Sequence, residues 1–167
     1  MAEVRLLFVC LGNICRSPAA EGVFLHLLAR EGLEEHFVVD SAGTGGWHVG
    51  RPADPRMRAA AQRRGIVLPS RARQIERADL TRFDRILTMD EDNLQAVRAL
   101  AREGGGSGLL AGEPIARIEP ITRHCRRFHS REVPDPYYGG EEGFEHVLDL
   151  LDDACRGLLE EIRPAAG

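Results

Sequence analysis

The sequence predicts an α/β fold in which parallel strands alternate with helices. Two short apolar runs, residues 4–9 and 37–39, flank an amphipathic segment long enough to form a helix. This is the spacing of a β-α-β unit, whose two strands run parallel. Two further apolar runs, residues 85–89 and 115–118, predict a third and a fourth strand. At 167 residues, the chain is expected to form a single domain, residues 1–167.

Helix boundaries are indicated by capping residues. The first helix is expected over residues 17–31, with Ser17 as N-cap and Pro18 at the first helical position, and Gly32 should end it. Asp54 should cap the second helix. The remaining helices are expected over residues 55–64, 91–102 and 143–163, and residues 104–108 read as a flexible surface connection.

Composition narrows the functional class. The net charge is -4, so we expect no nucleic acid partner and no anionic membrane surface. All 22 cationic side chains are arginines, and the lack of lysine excludes a GxxxxGK[ST] nucleotide loop and a lysine Schiff base. No apolar segment is long enough for a membrane span or an export signal, and the four cysteines lack paired spacing. These features predict a cytoplasmic protein.

The chemistry concentrates in the segment from Val9 to Pro18, between the first strand and the first helix. A loop at this position faces the free N–H groups of a helix N-terminus. Gly12 and Asn13 tolerate the backbone angles that turn successive N–H groups inward, as in an anion-binding nest. Cys10 contributes a thiol to this loop and Arg16 a guanidinium.

This loop suits a tetrahedral dianion. Backbone N–H groups would hold its oxygens while Arg16 binds two of them in bidentate fashion. The same positive field stabilises a thiolate at Cys10, directly below the phosphorus. The sequence therefore predicts phosphoryl transfer to Cys10, followed by hydrolysis of the phosphocysteine.

A long irregular loop is expected over residues 40–50. Its glycines do not match a dinucleotide fingerprint, because His48 stands where the third glycine would be required. Trp47, the only tryptophan, lies at the expected tip of this loop. It is interpreted either as a partly buried packing residue or as a wall that stacks on an aromatic substrate.

A second loop contains Asp135 between two prolines, followed by Tyr137 and Tyr138. The prolines restrict the loop to few conformers. A general acid is what the Cys10 mechanism still lacks, and Asp135 is the candidate. The reactive form then needs a thiolate and a protonated Asp135, so a bell-shaped pH profile on the acidic side of neutral is expected.

Other polar segments are assigned no catalytic role. Arg71 and Arg73 are interpreted as a solvated face, and the acidic residues 90–92 as a helix start. Residues 119–133 read as an irregular surface loop. Its His124, Cys125 and His129 lack the ligand spacing of a zinc site, so no metal and no cofactor is expected.

These motifs together resemble the low-molecular-weight protein tyrosine phosphatase family. The resemblance rests on residues 9–18 and 135–139, and it extends to residues 40–43, Trp47 and residues 89–90. It implies a three-layer sandwich of the flavodoxin-like or Rossmann-like type, a four-stranded parallel sheet with helices on both faces. The active site would lie at the C-terminal edge of the first strand.

The resemblance also implies roles for individual residues. Cys10 would be the nucleophile, Arg16 the phosphate clamp and Asp135 the general acid and then the general base. Asn13 would adopt a left-handed conformation held by a network that includes Ser41. The hydroxyl of Ser17 would assist the departure of the Cys10 sulfur. The backbone cradle would comprise Leu11, Gly12, Asn13, Ile14, Cys15 and Ser17.

The implied substrate is a tyrosine-phosphorylated protein, with a cognate tyrosine kinase among the candidates, and inorganic phosphate is the implied product. Trp47, Tyr137 and Tyr138 would wall a cleft too deep for phosphoserine. Cys15 would form a reversible disulfide with Cys10. Some relatives carry a supporting histidine in the segment that here reads Pro69-Ser70-Arg71. This chain has no histidine there.

Alternative functions stay open at this point. Phosphoarginine phosphatases of the same fold resemble the loop but carry threonine in place of Ile14, and the bulk of Ile14 favours tyrosine. Arsenate reductases add a redox pair of cysteines near the third strand, and this chain has no cysteine between Cys15 and Cys125. A non-catalytic phosphotyrosine-binding module and a purely redox protein are the remaining alternatives.

Overall fold

The computed structural model describes residues 3–104 and 114–164, and the predicted connection over residues 104–108 lies outside these ranges except for Gly104. Four parallel strands form one sheet in the order β2-β1-β3-β4. Their bounds are β1 Val4–Cys10, β2 Phe37–Gly43, β3 Arg85–Thr88 and β4 Arg117–Pro120. The α/β class and the four parallel strands predicted from the sequence are confirmed.

Strand β1 supplies the core of both faces of the sheet. Its side chains alternate, because successive residues of a strand point to opposite faces. Leu6 and Phe8 pack into the larger core, with residues of three helices, and Leu7 and Val9 pack into the smaller one. The sheet is therefore the central layer of a three-layer sandwich.

Five α-helices of the described residues cover the sheet. The larger core receives α1 Arg16–Glu31, α2 Pro55–Gln62 and α5 Glu141–Ile162, and the smaller core receives α3 Asp79–Arg82 and α4 Glu91–Gly104. In the part of the chain that the structure describes, no helix is long and apolar enough to cross a membrane.

The strand order reverses at β1, because the chain leaves β1 for β2 on one side and reaches β3 on the other. In open parallel sheets, ligands bind outside the carboxyl ends of strands at such a switch point. Cys10 is the last residue of β1. The topology therefore places the predicted phosphate loop where the fold favours a binding site.

Several predicted boundaries are confirmed and others are corrected. Gly32 ends α1 in the left-handed region, at φ 67°, and the Asp54 carboxylate caps α2 by accepting a 2.8 Å bond from the N–H of Arg56. Ser17 is not the N-cap of α1: the helix begins at Arg16, with Cys15 in the cap position.

The predicted start of the long loop at Asp40 is wrong, because β2 continues to Gly43 in register with β1. The apolar run that predicted β2 ends before this extension, because Asp40 and Ser41 are polar. Strand β4 likewise lies two residues beyond its predicted bounds. The one-turn helix α3 was not predicted at all. Helices α2, α4 and α5 and strand β3 differ from their predicted ends by one or two residues.

The prediction of a surface loop over residues 119–133 is wrong for its first half. Residues Ile121–His124 form a 3-10 turn in which Ile121 is fully buried. The Asp153 carboxylate of α5 then accepts backbone N–H bonds from residues 126–128. Burial opposes this charge, but these bonds hold the pKa of Asp153 below its usual value. A buried carboxylate supplied by a distant helix thus folds a segment whose own sequence is polar.

Candidate active site

The phosphate loop, residues 10–17, is held by its carbonyl groups. The carbonyls of Cys10, Leu11 and Ile14 accept backbone bonds of 2.8–2.9 Å from residues 44, 45 and 54. Among the described residues, by contrast, no hydrogen bond uses a backbone N–H of residues 11–15 as donor. Several N–H groups are therefore available to one ligand, which is the requirement for binding an anion at a helix N-terminus.

The side-chain amide of Asn13 fixes the shape of this loop. Asn13 is in the left-handed region, at φ 58°. Its Oδ1 accepts the backbone N–H of Arg73 at 3.0 Å, so the amide nitrogen must face the other way. That nitrogen donates to the hydroxyls of Ser17, at 2.7 Å, and Ser41, at 3.0 Å.

This orientation determines the direction of the next hydrogen bonds. Because the Ser17 hydroxyl accepts from Asn13, its own proton can be donated either to the Cys10 sulfur, 3.0 Å away, or to the Ala42 carbonyl, which is farther away at 3.4 Å. A hydroxyl donating to sulfur stabilises the thiolate over the thiol. The Ser41 hydroxyl donates in turn to Glu21, at 2.6 Å.

Glu21 ends the network behind the loop. It is 5% exposed, and its burial raises the pKa of its carboxyl group although bonds from Ser41 and Ser70 oppose the shift. Ser70 lies 3.4 Å from the Ser41 hydroxyl. The segment 69–71 therefore contributes a neutral hydroxyl to this network.

Arg73 contradicts the prediction of a solvated face. Its backbone N–H binds Asn13, and its carbonyl accepts the N–H of Gly43 at 2.8 Å. Its guanidinium forms ion pairs of 3.0 Å with Asp40 and with Asp79, which is 1% exposed. Arg73 thus joins the end of β2, α3 and the phosphate loop. Arg71, two residues earlier, is exposed as predicted.

Arg16 is the buried cation of the site, 3% exposed. Its guanidinium donates to the Asp90 carboxylate at 2.7 Å and to the Val133 carbonyl at 3.0 Å. Burial opposes the charge, but Cys10 and Asp90 keep the pKa of Arg16 above its usual value. Asp90, to which the sequence assigned no role beyond a helix start, therefore orients the Arg16 guanidinium.

Asp135 lies near the other terminal nitrogen of the same guanidinium. One carboxylate oxygen lies 3.7 Å from Nη2 of Arg16, and the other accepts the N–H of Tyr137 at 3.1 Å. The Asp135 side chain remains 42% exposed, so it can reach both a bound ligand and water. One cavity is thus lined by Cys10, Arg16 and Asp135, although Asp135 lies more than 100 residues from the other two in the sequence.

That cavity has a volume of about 400 Å³, within the usual range for small-ligand sites. Two loops form its sides, and we call residues 44–53 the tryptophan wall and residues 133–142 the tyrosine wall. Trp47 is 71% exposed, which contradicts its interpretation as a packing residue. The cavity is lined by Cys10, Leu11, Gly12, Ile14, Cys15, Arg16, Trp47, His48, Asp135, Tyr137 and Tyr138.

His48 lines the cavity although the sequence assigned it no role. A Cβ atom on Gly12 would lie 2.9 Å from His48 Cδ2, so a larger residue at position 12 would clash with the imidazole. This close approach explains the glycine. No local pattern pointed to it, because His48 and Gly12 are brought together only by the folded tryptophan wall.

A second cluster with possible metal ligands lies elsewhere. Side-chain atoms of Glu119, His124 and Glu161 lie within 4.8 Å of one another. The Glu119 carboxylate, however, already accepts from Arg85 and His124 at 2.9 Å and from Arg117 at 3.0 Å. Burial opposes this charge, but these cations keep the pKa of Glu119 low. A metal ion would face the arginines, so the cluster is better suited to its ion pairs.

The comparison with known families agrees with this geometry. The family model described as low molecular weight phosphotyrosine protein phosphatase matches residues 5–166. The chain belongs to this family.

Individual relatives of this phosphatase match over nearly their whole length. A putative low molecular weight protein-tyrosine-phosphatase of Synechocystis is 46% identical over 159 residues, covering 95% of this chain and 96% of the relative. The crystal structure of a protein tyrosine phosphatase from Entamoeba histolytica is 41% identical, with a TM-score of 0.86 and coverage of 96% and 97%. A Drosophila arginine phosphatase reaches the same TM-score at 29% identity, covering 96% of this chain and 99% of its own.

Proposed function

We propose that this phosphatase hydrolyses phosphotyrosine in proteins through a phosphocysteine intermediate, and that residues 1–167 work as one domain. The observation that carries the proposal is the cradle around Cys10. Backbone N–H groups of residues 11–15 have no partner among the described residues, and the Arg16 guanidinium adjoins them. A phosphoryl group seated there would satisfy these donors directly above the sulfur.

In the first step, the Cys10 thiolate attacks phosphorus, and a P–S bond forms as the bond to the phenolic oxygen breaks. Asp135 gives its proton to the departing phenolate. Arg16 and the N–H groups stabilise the charge on the transferring oxygens. The Asp90 and Val133 contacts hold Arg16 in position without a loop movement.

In the second step, Asp135 takes a proton from water, whose oxygen attacks the phosphorus. The P–S bond breaks, and phosphate and the Cys10 thiolate are released. The hydroxyl of Ser17, 3.0 Å from the sulfur, stabilises the thiolate as a leaving group. The same carboxyl group thus acts as acid and then as base.

The selectivity for tyrosine rests on the cavity walls. Trp47, Tyr137 and Tyr138 supply aromatic surface for a phenyl ring, and Ile14 narrows the floor of the cavity. Phosphoarginine is the second candidate substrate, because a Drosophila arginine phosphatase has a closely similar fold. A guanidino group would meet the Ile14 side chain, so we expect a preference for tyrosine.

The decisive experiment compares p-nitrophenyl phosphate hydrolysis by the wild type, Cys10→Ser and Cys125→Ser in the presence of a metal chelator. We expect Cys10→Ser to lose at least about 10⁴-fold in kcat, while the control Cys125→Ser stays near wild type. Tight phosphate binding without turnover by the wild type would instead identify a non-catalytic binding module.

Substrate choice is tested with phosphotyrosyl, phosphoarginyl and phosphoseryl peptides of one sequence. The expected order of kcat/KM places phosphotyrosine first. In Ile14→Thr, the ratio of phosphoarginine to phosphotyrosine turnover should rise. If the wild type preferred phosphoarginine, the phosphocysteine mechanism would stand but the assignment of phosphotyrosine as substrate would be wrong.

We further propose that Cys15 protects Cys10 from oxidation. Both are buried free thiols on the same short loop, and burial raises the pKa of Cys15 well above its usual value. Peroxide would oxidise the Cys10 thiolate to a sulfenic acid, and the Cys15 thiol would then condense with it, releasing water and forming the disulfide. Peroxide inactivation should be reversible by dithiothreitol in the wild type and largely irreversible in Cys15→Ser.

A further inference from the structure

The two walls of the cleft carry opposite charge. The tyrosine wall contains three carboxylates, Asp135, Glu141 and Glu142, and no cation. The tryptophan wall contains no carboxylate, and neither does the adjoining segment 62–75. In a chain of net charge -4, this basic side of the cleft mouth is a local feature.

Two arginines are fixed side by side on this basic side. Pro52 and Arg71 form an antiparallel bridge, and the N–H of Ala72 donates to the carbonyl of Arg51 at 2.8 Å. The Arg71 guanidinium also donates to the carbonyl of Gly50 at 2.9 Å. Residues 50–52 thus pair with residues 71 and 72, and the Arg71 guanidinium reaches Gly50, next to Arg51. We call these two neighbouring exposed arginines, Arg51 and Arg71, the arginine ledge.

The positive charges of the ledge are not neutralised by any carboxylate of the described residues. Both of its arginines are exposed, and no carboxylate of the described residues lies within ion-pair distance of either. The neighbouring Arg56 and Arg73, by contrast, are each paired with carboxylates at 2.9–3.0 Å. An anionic partner could therefore bind the ledge without displacing an existing ion pair.

The ledge lies beside the cavity. His48 lines the cavity, and its carbonyl accepts the N–H of Arg51 at 2.9 Å. An extended peptide advances about 3.3–3.6 Å per residue. Side chains a few positions from a phosphotyrosine seated over Cys10 would therefore reach the ledge past the tryptophan wall. Those on the other flank would pass the tyrosine wall, whose Glu141 lies with Gly139 and Gly140 beyond the residues that line the cavity.

We propose that Arg51 and Arg71 bind acidic side chains that lie about two to four residues from the phosphotyrosine, on one side of it only. The inference rests on the proposed function, because it names the class of phosphoprotein that the same site selects. Acidic residues on the opposite side of the phosphotyrosine would face Glu141 and Glu142 and be repelled. The phosphatase would then distinguish the direction of an acidic flank along the chain, not merely its presence.

Three phosphotyrosyl peptides test this selection: one with three aspartates before the phosphotyrosine, one with three after it, and one with serines in these positions. We expect one acidic peptide to exceed the neutral peptide in kcat/KM by about 10-fold, because each exposed charge pair contributes up to about 5-fold. The other acidic peptide should fall at or below the neutral one.

The variant Arg51→Ala/Arg71→Ala should reduce the advantage to less than about 2-fold. Its turnover of p-nitrophenyl phosphate should stay at the wild-type level, which also shows that the variant is folded. The matched control is Arg30→Ala. Arg30 is an exposed arginine near the far end of α1, about 20 Å from the loop at 1.5 Å per residue, and its loss should leave the preference intact. Raising the salt concentration from 20 to 500 mM should also weaken the preference, because exposed charges are screened.

Equal turnover of the three peptides by the wild type, or a preference that survives in the double variant, would overturn the inference and leave the proposed function standing. If the protein hydrolysed phosphoarginine but none of the phosphotyrosyl peptides, both this inference and the proposed function would be wrong.

Discussion

The tryptophan wall and the tyrosine wall face each other across one cleft but are attached to the molecule differently. Thr44 and Gly45, at the start of the tryptophan wall, bind the phosphate-loop carbonyls, and Gly50, farther along, binds Ala72. The tyrosine wall is anchored at Val133, which binds Met89 and Arg16. Beyond this anchor its hydrogen bonds among described residues are local turns, and Tyr138 is 94% exposed.

This difference separates two tasks. The tryptophan wall is hydrogen-bonded to the phosphate loop, and these bonds hold the shape of that loop. The tyrosine wall, which carries Asp135, has fewer hydrogen bonds to the rest of the molecule beyond Val133. This suits the proposed role of Asp135, whose carboxyl group would serve first a leaving group and then a water molecule. The predictions below test this separation, from the largest expected effect to the smallest.

The largest effect is expected at Arg16, which contacts the anchor of the tyrosine wall and the phosphate site. Arg16→Lys keeps a charge but loses the planar fork that binds Asp90 and phosphate together. We expect kcat to fall by about 10³-fold or more, the scale of a transition-state arginine in phosphoryl transfer. Arg63→Lys, at the exposed C-cap of α2, is the control for steady-state kinetics and should match the wild type.

Asp135→Asn should have the next largest effect, because it removes the proton donor and leaves the cradle intact. We expect about 10²–10⁴-fold lower kcat with phenyl phosphate, whose leaving group needs protonation. With p-nitrophenyl phosphate the loss should be smaller, and the alkaline limb of the pH–rate profile should disappear. An equal loss with both substrates, or an unchanged profile, would exclude Asp135 as the acid.

Arg73→Met tests the anchoring on the tryptophan side. The substitution leaves Asp79, 1% exposed, without its cation. We expect a loss of about 2 kcal/mol in the free energy of unfolding, below the roughly 3–5 kcal/mol for a fully buried pair, because Arg73 is 31% exposed. Since the Asn13 contact uses the backbone of residue 73, the fall in kcat should be modest, about 10-fold. Urea unfolding measures the first effect, and Arg71→Met is the matched control.

Glu21→Gln should change how stability depends on pH. The pKa of Glu21 is raised in the folded state by burial, so its ionisation destabilises the fold. Wild-type stability should therefore decline as pH rises from the ordinary glutamate value of 4.5 through the raised pKa, relative to the uncharged variant. Thermal unfolding of both proteins from pH 4 to 8 measures this. A difference that shrinks with increasing pH would contradict the assignment.

The smallest effect is expected at Tyr138, the outermost residue of the cleft. Tyr138→Ala should change kcat/KM for p-nitrophenyl phosphate by less than about 2-fold, because an exposed side chain contributes little packing. Tyr137→Ala should raise KM more, since the Tyr137 ring packs edge-to-face against Tyr138 and lies under the Arg56 guanidinium. An equal effect at both positions would contradict this order along the tyrosine wall.

Sequence alone was most informative where function needs several residues close together in the chain. The spacing of Cys10, Gly12 and Arg16 is a local property of one loop, and the amphipathic pattern of α5 is a local property of one helix. The polar residues at Asp40 and Ser41 misled the interpretation, because an apolar run is not required where β2 pairs with β1 at the edge of the site.

What the sequence by itself determined was the α/β class and the strand–loop–helix segment that holds Cys10 and Arg16 in one loop, since helix capping, periodicity and the Cys10–Arg16 spacing are short-range properties. Only the tertiary structure decided that Asp90 orients Arg16, that Arg73 supports Asn13 and that His48 closes on Gly12. These contacts join residues 36 to 74 positions apart. The parallel sheet brings these residues together, because the carboxyl ends of its strands lie at one edge.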